Sequence, residues 1–244
     1  MYTKNLSLFV LDSGVSEAEV NMTTDAKLLS DLERPILHFY DWLKPSATYG
    51  HFIDVEKHFD VEKVRARGLS LARRPTGGGI VFHIWDLAFS FLLPVDHPAC
   101  SDNTLDNYRF VNEIVLESVK EYLSLNDLSL IPHHAPELGP SCTHFCMARP
   151  TIYDVVYNGL KIAGAAQRRT KKGYLHQGTI SLAFPDLELL NEILLSNEEV
   201  TAAMRMYSFS PLGASPTSTV LKKARVDLQE LLHKKFMAKV NAST

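Results

Sequence analysis

The run Arg73-Arg74-Pro75-Thr76-Gly77-Gly78-Gly79-Ile80-Val81-Phe82-His83 sets three residues without side chains between two guanidinium groups and an imidazole. Consecutive glycines raise the cost of ordering the backbone and give nothing to pack, so their use here points to something that must approach the main chain. Bare N–H groups suit a carbonyl or a phosphate, and a strand behind them allows a flat or elongated ligand to lie along the backbone. A bulged or tight turn without function is the competing reading. A second set, Lys161, Gly164, Gln167 and His176, falls on segments that alternate as strands do. A third is the loop that carries His133, His134, Cys142, His144 and Cys146. These are metal-ligand types, but the spacings His-His, Cys-x-His and Cys-x-x-x-Cys do not match a common structural zinc pattern.

The elements that must position these groups follow from periodicity and punctuation. "SEAEVNMTTDAKLLSDLE" reads as an opening helix with Ser16 and Glu19 as a capping box. "PILHFYDWL" reads as a strand that enters the loop "KPSATYGHF", and "DVEKHFDVEKVRARG" as a charged helix stopped by Gly68. A strand, the glycine turn and two more strands cover 69–94. The segment after Asn103 carries Leu105, Tyr108, Val111, Ile114, Val115, Val119 and Tyr122 on one face of a long amphipathic helix. "TIYDVVY", "LKIAGAAQRR" and "YLHQGTISLAF" read as a three-stranded antiparallel meander whose first turn is Asn158-Gly159. Helices separated by "SFSPLGASPTST" complete the chain. The fold class is α/β in the α+β sense, a largely antiparallel or mixed sheet flanked by helices. One domain over 1–244 is expected, with the C-terminal helices of about 186–240 part of it.

Twenty-five basic and 28 acidic residues are scattered along the 244, giving a net charge of −3, so no phosphate-neutralising nucleic-acid surface is expected. The apolar run near the N-terminus meets Asp12 without a cleavage pattern, and "LAFSFLLPV" is too short to span a bilayer. Three cysteines do not make a disulfide framework; a soluble cytoplasmic protein with free thiols is expected.

The glycine segment resembles the signature Arg-Arg-x-x-Gly-Gly-Gly-x-Val-x-His of the lipoate-protein ligases and octanoyltransferases, which share a catalytic-domain fold with the biotin-protein ligases. Lys161-Ile162-Ala163-Gly164-Ala165-Ala166-Gln167-Arg168 and "HQGTISL" are similar to two further blocks of that family, and the matches run in order from about residue 17 to 182. Two departures stand out: Ile84 takes the place of an Asp, with Asp86 two residues on, and "HQGT" replaces His-His-Gly-Thr. The resemblance implies an acyl chain bound beneath the glycine loop, and attachment of an octanoyl or lipoyl group to one lysine of a lipoyl domain, in a 2-oxoacid dehydrogenase E2 or the glycine-cleavage H protein.

Cys146, Pro150, Tyr153 and Asp154 are spaced like the cysteine loop of octanoyltransferases that work through an acyl-thioester enzyme. That likeness implies catalytic roles for Cys146 and Lys161, with octanoyl-carrier protein as donor and no cofactor. A thiolate is the attacking species, and Lys161 is the cation expected to favour it and to steady charge on the acyl oxygen. Arg73, Arg74, Gly77, Gly78, Gly79, His83, Gly164, Gln167, His176, Gly178 and Thr179 are the implied substrate-binding residues, the glycine N–H groups orienting the acyl end; no metal ligand is implied. An ATP- and magnesium-dependent ligase of free lipoate is the alternative, although "RPTIYD" lacks the ligases' Gly-Arg-Asn arrangement. A non-catalytic homologue that binds lipoyl domains is the alternative of another class.

Overall fold

A computed structural model describes residues 7–132 and 142–242. The chain begins with β1 (Phe9–Ser16), α1 (Ala18–Ser30), β2 (Ile36–Trp42) and β3 (Ser46–Tyr49). A 3-10 turn at Val55–Lys57 leads to α2 (Val61–Ala66), β4 (Ser70–Arg73), β5 (Ile80–His83), β6 (Asp86–Pro94), α3 (Thr104–Leu123) and β7 (Leu128–Leu130). Then follow β8 (Val155–Tyr157), β9 (Leu160–Arg169), β10 (Gly173–Ser181), α4 (Leu187–Ile193), α5 (Asn197–Tyr207) and α6 (Ser218–Asn241).

Seven strands form one mixed sheet in the order β1-β2-β6-β10-β9-β8-β7, in which β1 and β2 are parallel and the other pairs antiparallel. Every residue of β6 is buried, because this strand is covered on both faces; its near-continuous apolar sequence follows from that position. Phe89, Phe91 and Leu93 pack with Ile114 and Val115 of α3 and with Leu232 and Phe236 of α6 in the largest core. On the opposite face, Leu92 and Leu175 meet Leu29 of α1. The expected meander is present as β8-β9-β10, and its first turn has φ of 49° at Asn158 and 81° at Gly159, as an Asn-Gly hairpin turn requires.

A second sheet, β4-β3-β5, carries the glycine run. Because β3 lies between β4 and β5, the glycine segment is a crossover loop and not a hairpin turn. β3 itself falls in the segment read as loop, since Ser46–Tyr49 is only four residues long and sits next to Pro45. β1 and β7 were likewise not legible: β1 is an edge strand with no fully buried residue, and β7 has three residues.

Three other expectations are corrected. α1 starts after Glu17, which makes no side-chain cap, so Ser16 and Glu19 do not form a capping box. The charged helix divides, because buried Phe59 pairs with Leu194 and Asp60 begins α2 by capping Lys63 N–H. Leu105, placed on the buried face of α3, is 45% exposed; Asn107 and Asn112 take buried positions on that helix. Among the described residues, no helix is long and apolar enough to cross a membrane.

Candidate active site

The glycine loop is explained by what rests on it. A Cβ on Gly79 would stand 2.2 Å from the His144 carbonyl oxygen. That close approach lets the segment His144–Cys146 run alongside the start of β5, where Cys146 N–H donates to the Ile80 carbonyl at 3.0 Å and Ile80 pairs with Phe145 in parallel. The bareness of Gly79 therefore serves the cysteine segment. The other side of the loop is held by Arg74, which is 5% exposed and donates to the carbonyls of Gly77 (3.2 Å) and Gly79 (2.6 Å), and to the backbone and hydroxyl oxygens of Thr48 at 2.9 and 2.8 Å. Burial lowers the basicity of Arg74, and the nearby Cys146 thiol and Tyr40 hydroxyl oppose that shift. Arg74 is thus a second cation in the cavity wall that holds Cys146, beside Lys161, the one sequence reasoning expected.

Lys161 has a different set of partners. Its Nζ contacts Asp154 Oδ2 at 2.7 Å and donates to the Cys146 carbonyl at 2.9 Å; the pair is 4% and 0% exposed. Asp154 is fixed in turn by the Tyr108 hydroxyl (2.8 Å) and by the N–H and hydroxyl of Thr151 (2.7 and 2.9 Å). Burial and Asp154 both push the Tyr108 phenol well up, so it stays a donor. A buried ion pair survives only when its remaining hydrogen-bonding capacity is met, and these contacts do so. Gly164 makes the space: a Cβ there would lie 2.5 Å from Lys161 Cε, 2.6 Å from its Nζ and 2.8 Å from Asp154 Oδ1. Gly164→Ala is expected to displace the lysine and lower turnover about a hundredfold, which steady-state kinetics beside thermal melting will check.

These groups border a mostly apolar cavity. Arg74, His83, Cys146, Lys161, Gly164 and Thr179 all line it, as does the backbone of Gly178. His83 is held from both ring nitrogens, by Thr48 Oγ1 at 2.8 Å and Asp86 Oδ2 at 2.7 Å, and stacks on Trp42 with ring centroids 4.1 Å apart. Asp86, two residues beyond the position where the family has its acid, is thus the partner of this histidine. Burial alone would push its carboxyl up, but His83, the Thr179 hydroxyl and Arg225 hold it below the ordinary carboxylate range.

Six expected residues do not line the cavity: Gly79 backs the His144–Cys146 segment, Gly78 has φ of 82° and would set a Cβ 3.4 Å from Ala166 and Arg74, and the other four are Arg73, Gly77, Gln167 and His176. Arg73 is exposed, donating to the His51 carbonyl and lying over the Tyr49 ring, on the outer surface. Gly77 makes room for nothing, since a Cβ there would meet no atom within 4 Å. Gln167 and His176 pair with each other across β9 and β10, their side chains 2.9 Å apart, on the sheet face opposite the cavity, where His176 lies between the rings of Phe89 and Tyr108. The reason is the two-residue period of a strand: Thr179 and Gln177 share the cavity face, so His176 must point away. Counting back two from Thr179 would have found Gln177.

Gln177 is the principal site residue that sequence reasoning missed. Its amide accepts from Thr76 Oγ1 at 2.7 Å and donates to Asp25 Oδ2 at 2.6 Å, joining the glycine loop to α1. Asp25 also holds Ser90 at 2.6 Å and His38 at 2.8 Å.

Burial lowers the His176 pKa to about 3. In the unfolded chain the imidazole titrates near 6.5, so the folded state disfavours the proton that the unfolded state takes up. This contribution to stability is complete above about pH 6.5 and is lost as pH falls towards 3. His176→Gln should flatten the fall in stability across that window, on the order of 4 kcal/mol at its acid end, as measured by urea unfolding at a series of pH values.

Cys100, Cys142 and Cys146 are all unpaired thiols, and Cys142 is buried with its sulfur directed at the Glu199 carbonyl. Among the described residues no cluster of three or more His, Cys, Asp or Glu could hold a metal ion. His133 and His134 lie outside the described residues.

Residues 17–239 match the lipoyl protein ligase A/B catalytic domain, and the chain belongs to that family. Within it, the chain is similar to proteins named octanoyltransferase LipM. It is 34% identical to that of Geobacillus kaustophilus over 197 residues, 78% of this chain and 70% of the relative, and 31% identical to that of Bacillus subtilis over 224 residues, 89% and 80%. The fold is shared with the bi-partite lipoate protein ligase of Thermoplasma acidophilum, with TM-score 0.67 at 21% identity over 98% of this chain and 92% of that one. Plasmodium falciparum LipL1 in complex with lipoate gives TM-score 0.62 at 20% identity over 94% and 62%.

Proposed function

We propose that this chain is an octanoyltransferase, moving an octanoyl group from a carrier-protein thioester onto a lysine of a lipoyl domain through an acyl-Cys146 intermediate. The observation that carries the reading is Cys146, a half-buried thiol held at the wall of an apolar cavity beside Arg74 and Lys161. The names of the relatives support the transfer reaction.

The chemistry proceeds in two displacements. The Cys146 thiolate attacks the thioester carbon, the carrier sulfur leaves as a thiolate that takes its proton from water, and the acyl group is left on Sγ. The acceptor lysine, as a free amine, then attacks the acyl carbon; an amide forms, the cysteine sulfur leaves, and the amine's proton is released. The Arg74 guanidinium is the positive partner of the sulfur. Lys161, fixed by Asp154, supplies a second cation for charge that develops on the acyl oxygen. The apolar lining of the cavity excludes water from the acyl-enzyme.

No nucleotide or metal is required, and the activated donor takes the place of ATP. The acceptor is the lipoyl domain of a 2-oxoacid dehydrogenase E2 or the H protein, the donor octanoyl-carrier protein, the setting the cytoplasm, and residues 1–244 work as one catalytic unit. A purified lipoyl domain incubated with octanoyl-carrier protein, without ATP, gains one octanoyl group by mass spectrometry under this reading. Modification only with free lipoate, ATP and magnesium would make the chain a ligase.

A further inference from the structure

We propose that the Thr48 hydroxyl and His83 form a relay that takes the proton of the acceptor amine as it attacks the acyl-enzyme; this rests on the acyl-transfer reading above. Among the described residues that line the cavity, the groups that titrate are Tyr40, Arg74, His83, Cys146 and Lys161. Cys146 carries the acyl group at that step. The Arg74 guanidinium has donors only, and Lys161 is engaged as a cation by Asp154 at 2.7 Å. Burial, and after it the charge of Asp25, push the Tyr40 phenol well up, so it keeps its proton. His83 is the remaining group with a basic lone pair, and an amine that becomes an amide must give up a proton.

The hydrogen bonds fix which nitrogen is bare. Arg74 Nη1 donates to Thr48 Oγ1 at 2.8 Å, so the one proton of that hydroxyl is free for His83 Nε2, also 2.8 Å away. The other ring nitrogen faces Asp86 Oδ2 at 2.7 Å, an oxygen that also accepts from Thr179 Oγ1 at 2.6 Å. Against the upward push of burial, His83, Thr179 and Arg225 hold the Asp86 carboxyl low, so it is an acceptor and Nδ1 carries the imidazole proton. Nε2 therefore accepts from Thr48, and Oγ1 keeps a second lone pair. Thr48 and both partners of its hydroxyl, Arg74 and His83, line the cavity together. The acceptor nitrogen bonds to the acyl carbon, its proton passes to Thr48 Oγ1, the hydroxyl proton passes to Nε2, and the carbon–sulfur bond breaks with its electron pair on Sγ. The imidazolium then donates from both nitrogens, to Thr48 and to Asp86, whose charge stabilises it. Once the product leaves, the proton returns through Thr48 to water. The first displacement needs no relay, because Cys146 attacks as a thiolate.

The test follows the two half-reactions separately, in single turnovers read by mass spectrometry: octanoyl-carrier protein forming acyl-Cys146, then the isolated acyl-enzyme mixed with a lipoyl domain. Thr48→Val removes the hydroxyl and His83→Gln the base. Each variant is expected to form acyl-Cys146 within about threefold of the parent rate and to pass the group on at least about a hundredfold more slowly. Thr48→Ser, which keeps the hydroxyl, is expected to pass it on within about tenfold of the parent. A loss shared equally by both half-reactions, confined to the first, or absent from both would overturn the proposal, as would equal transfer by Thr48→Val and Thr48→Ser. Nitrogen NMR of the parent covers variants that fail to fold: a proton on Nδ1 of His83 with Nε2 bare supports the relay, and a neutral ring protonated on Nε2 overturns it. Should the parent form no acyl-Cys146, the functional reading falls, and the tautomer alone then decides whether the relay is built.

Discussion

Cys146→Ala abolishes ATP-independent octanoyl transfer, with kcat/KM down by at least four orders of magnitude, while the protein remains folded. Removal of a covalent nucleophile leaves only binding and electrostatic assistance, and losses of this size are usual when the attacking atom is deleted. The fold should tolerate the change: Cys146 is half-buried, and its structural contacts are made by its backbone, N–H to Ile80 and carbonyl to Lys161. A melting temperature close to that of the parent separates loss of chemistry from loss of structure. Cys142→Ala, at a buried thiol outside the cavity, should leave transfer within a fewfold of the parent.

The second large effect is at Lys161, and it combines stability with rate. Lys161→Ala leaves Asp154 with no cation in a fully buried position and removes the donor to the Cys146 carbonyl. Breaking a buried pair from one side costs about 3–5 kcal/mol, so the variant should melt well below the parent and have no measurable transfer. Lys161→Ala combined with Asp154→Asn separates the two effects. The second change removes the stranded charge and should recover much of the stability, but none of the transfer. Recovery of both would reduce Lys161 to a structural residue.

Motifs in this sequence were legible where a local rule was strict. The Asn158-Gly159 turn, the amphipathic α3 and the continuous apolar β6 each follow from short-range constraints, and each is present. β3 was hidden because four residues after a proline carry too little alternation to register, although this strand decides that the glycine segment crosses over rather than turns back. At the site, the types of the chemical groups were plain but their faces were not. The motif points to His176 where the cavity receives Gln177, because a motif names a string of residues, whereas a strand presents every second one to a given face. Arg74 joins Lys161 beside Cys146 for a tertiary reason: the cysteine loop approaches from the side of β5, which sets its carbonyl against Lys161 and brings Arg74 into the same cavity wall. No local pattern records that approach.

The central claim is the covalent acyl-enzyme, and intact-mass spectrometry of the protein mixed with octanoyl-carrier protein, with neither ATP nor acceptor present, tests it most directly. The account predicts a single octanoyl adduct that maps to Cys146, is absent in Cys146→Ala, and disappears when a lipoyl domain is added as the domain gains the same mass. An unmodified enzyme that nonetheless octanoylates the lipoyl domain, at a rate unchanged in Cys146→Ala, would contradict it.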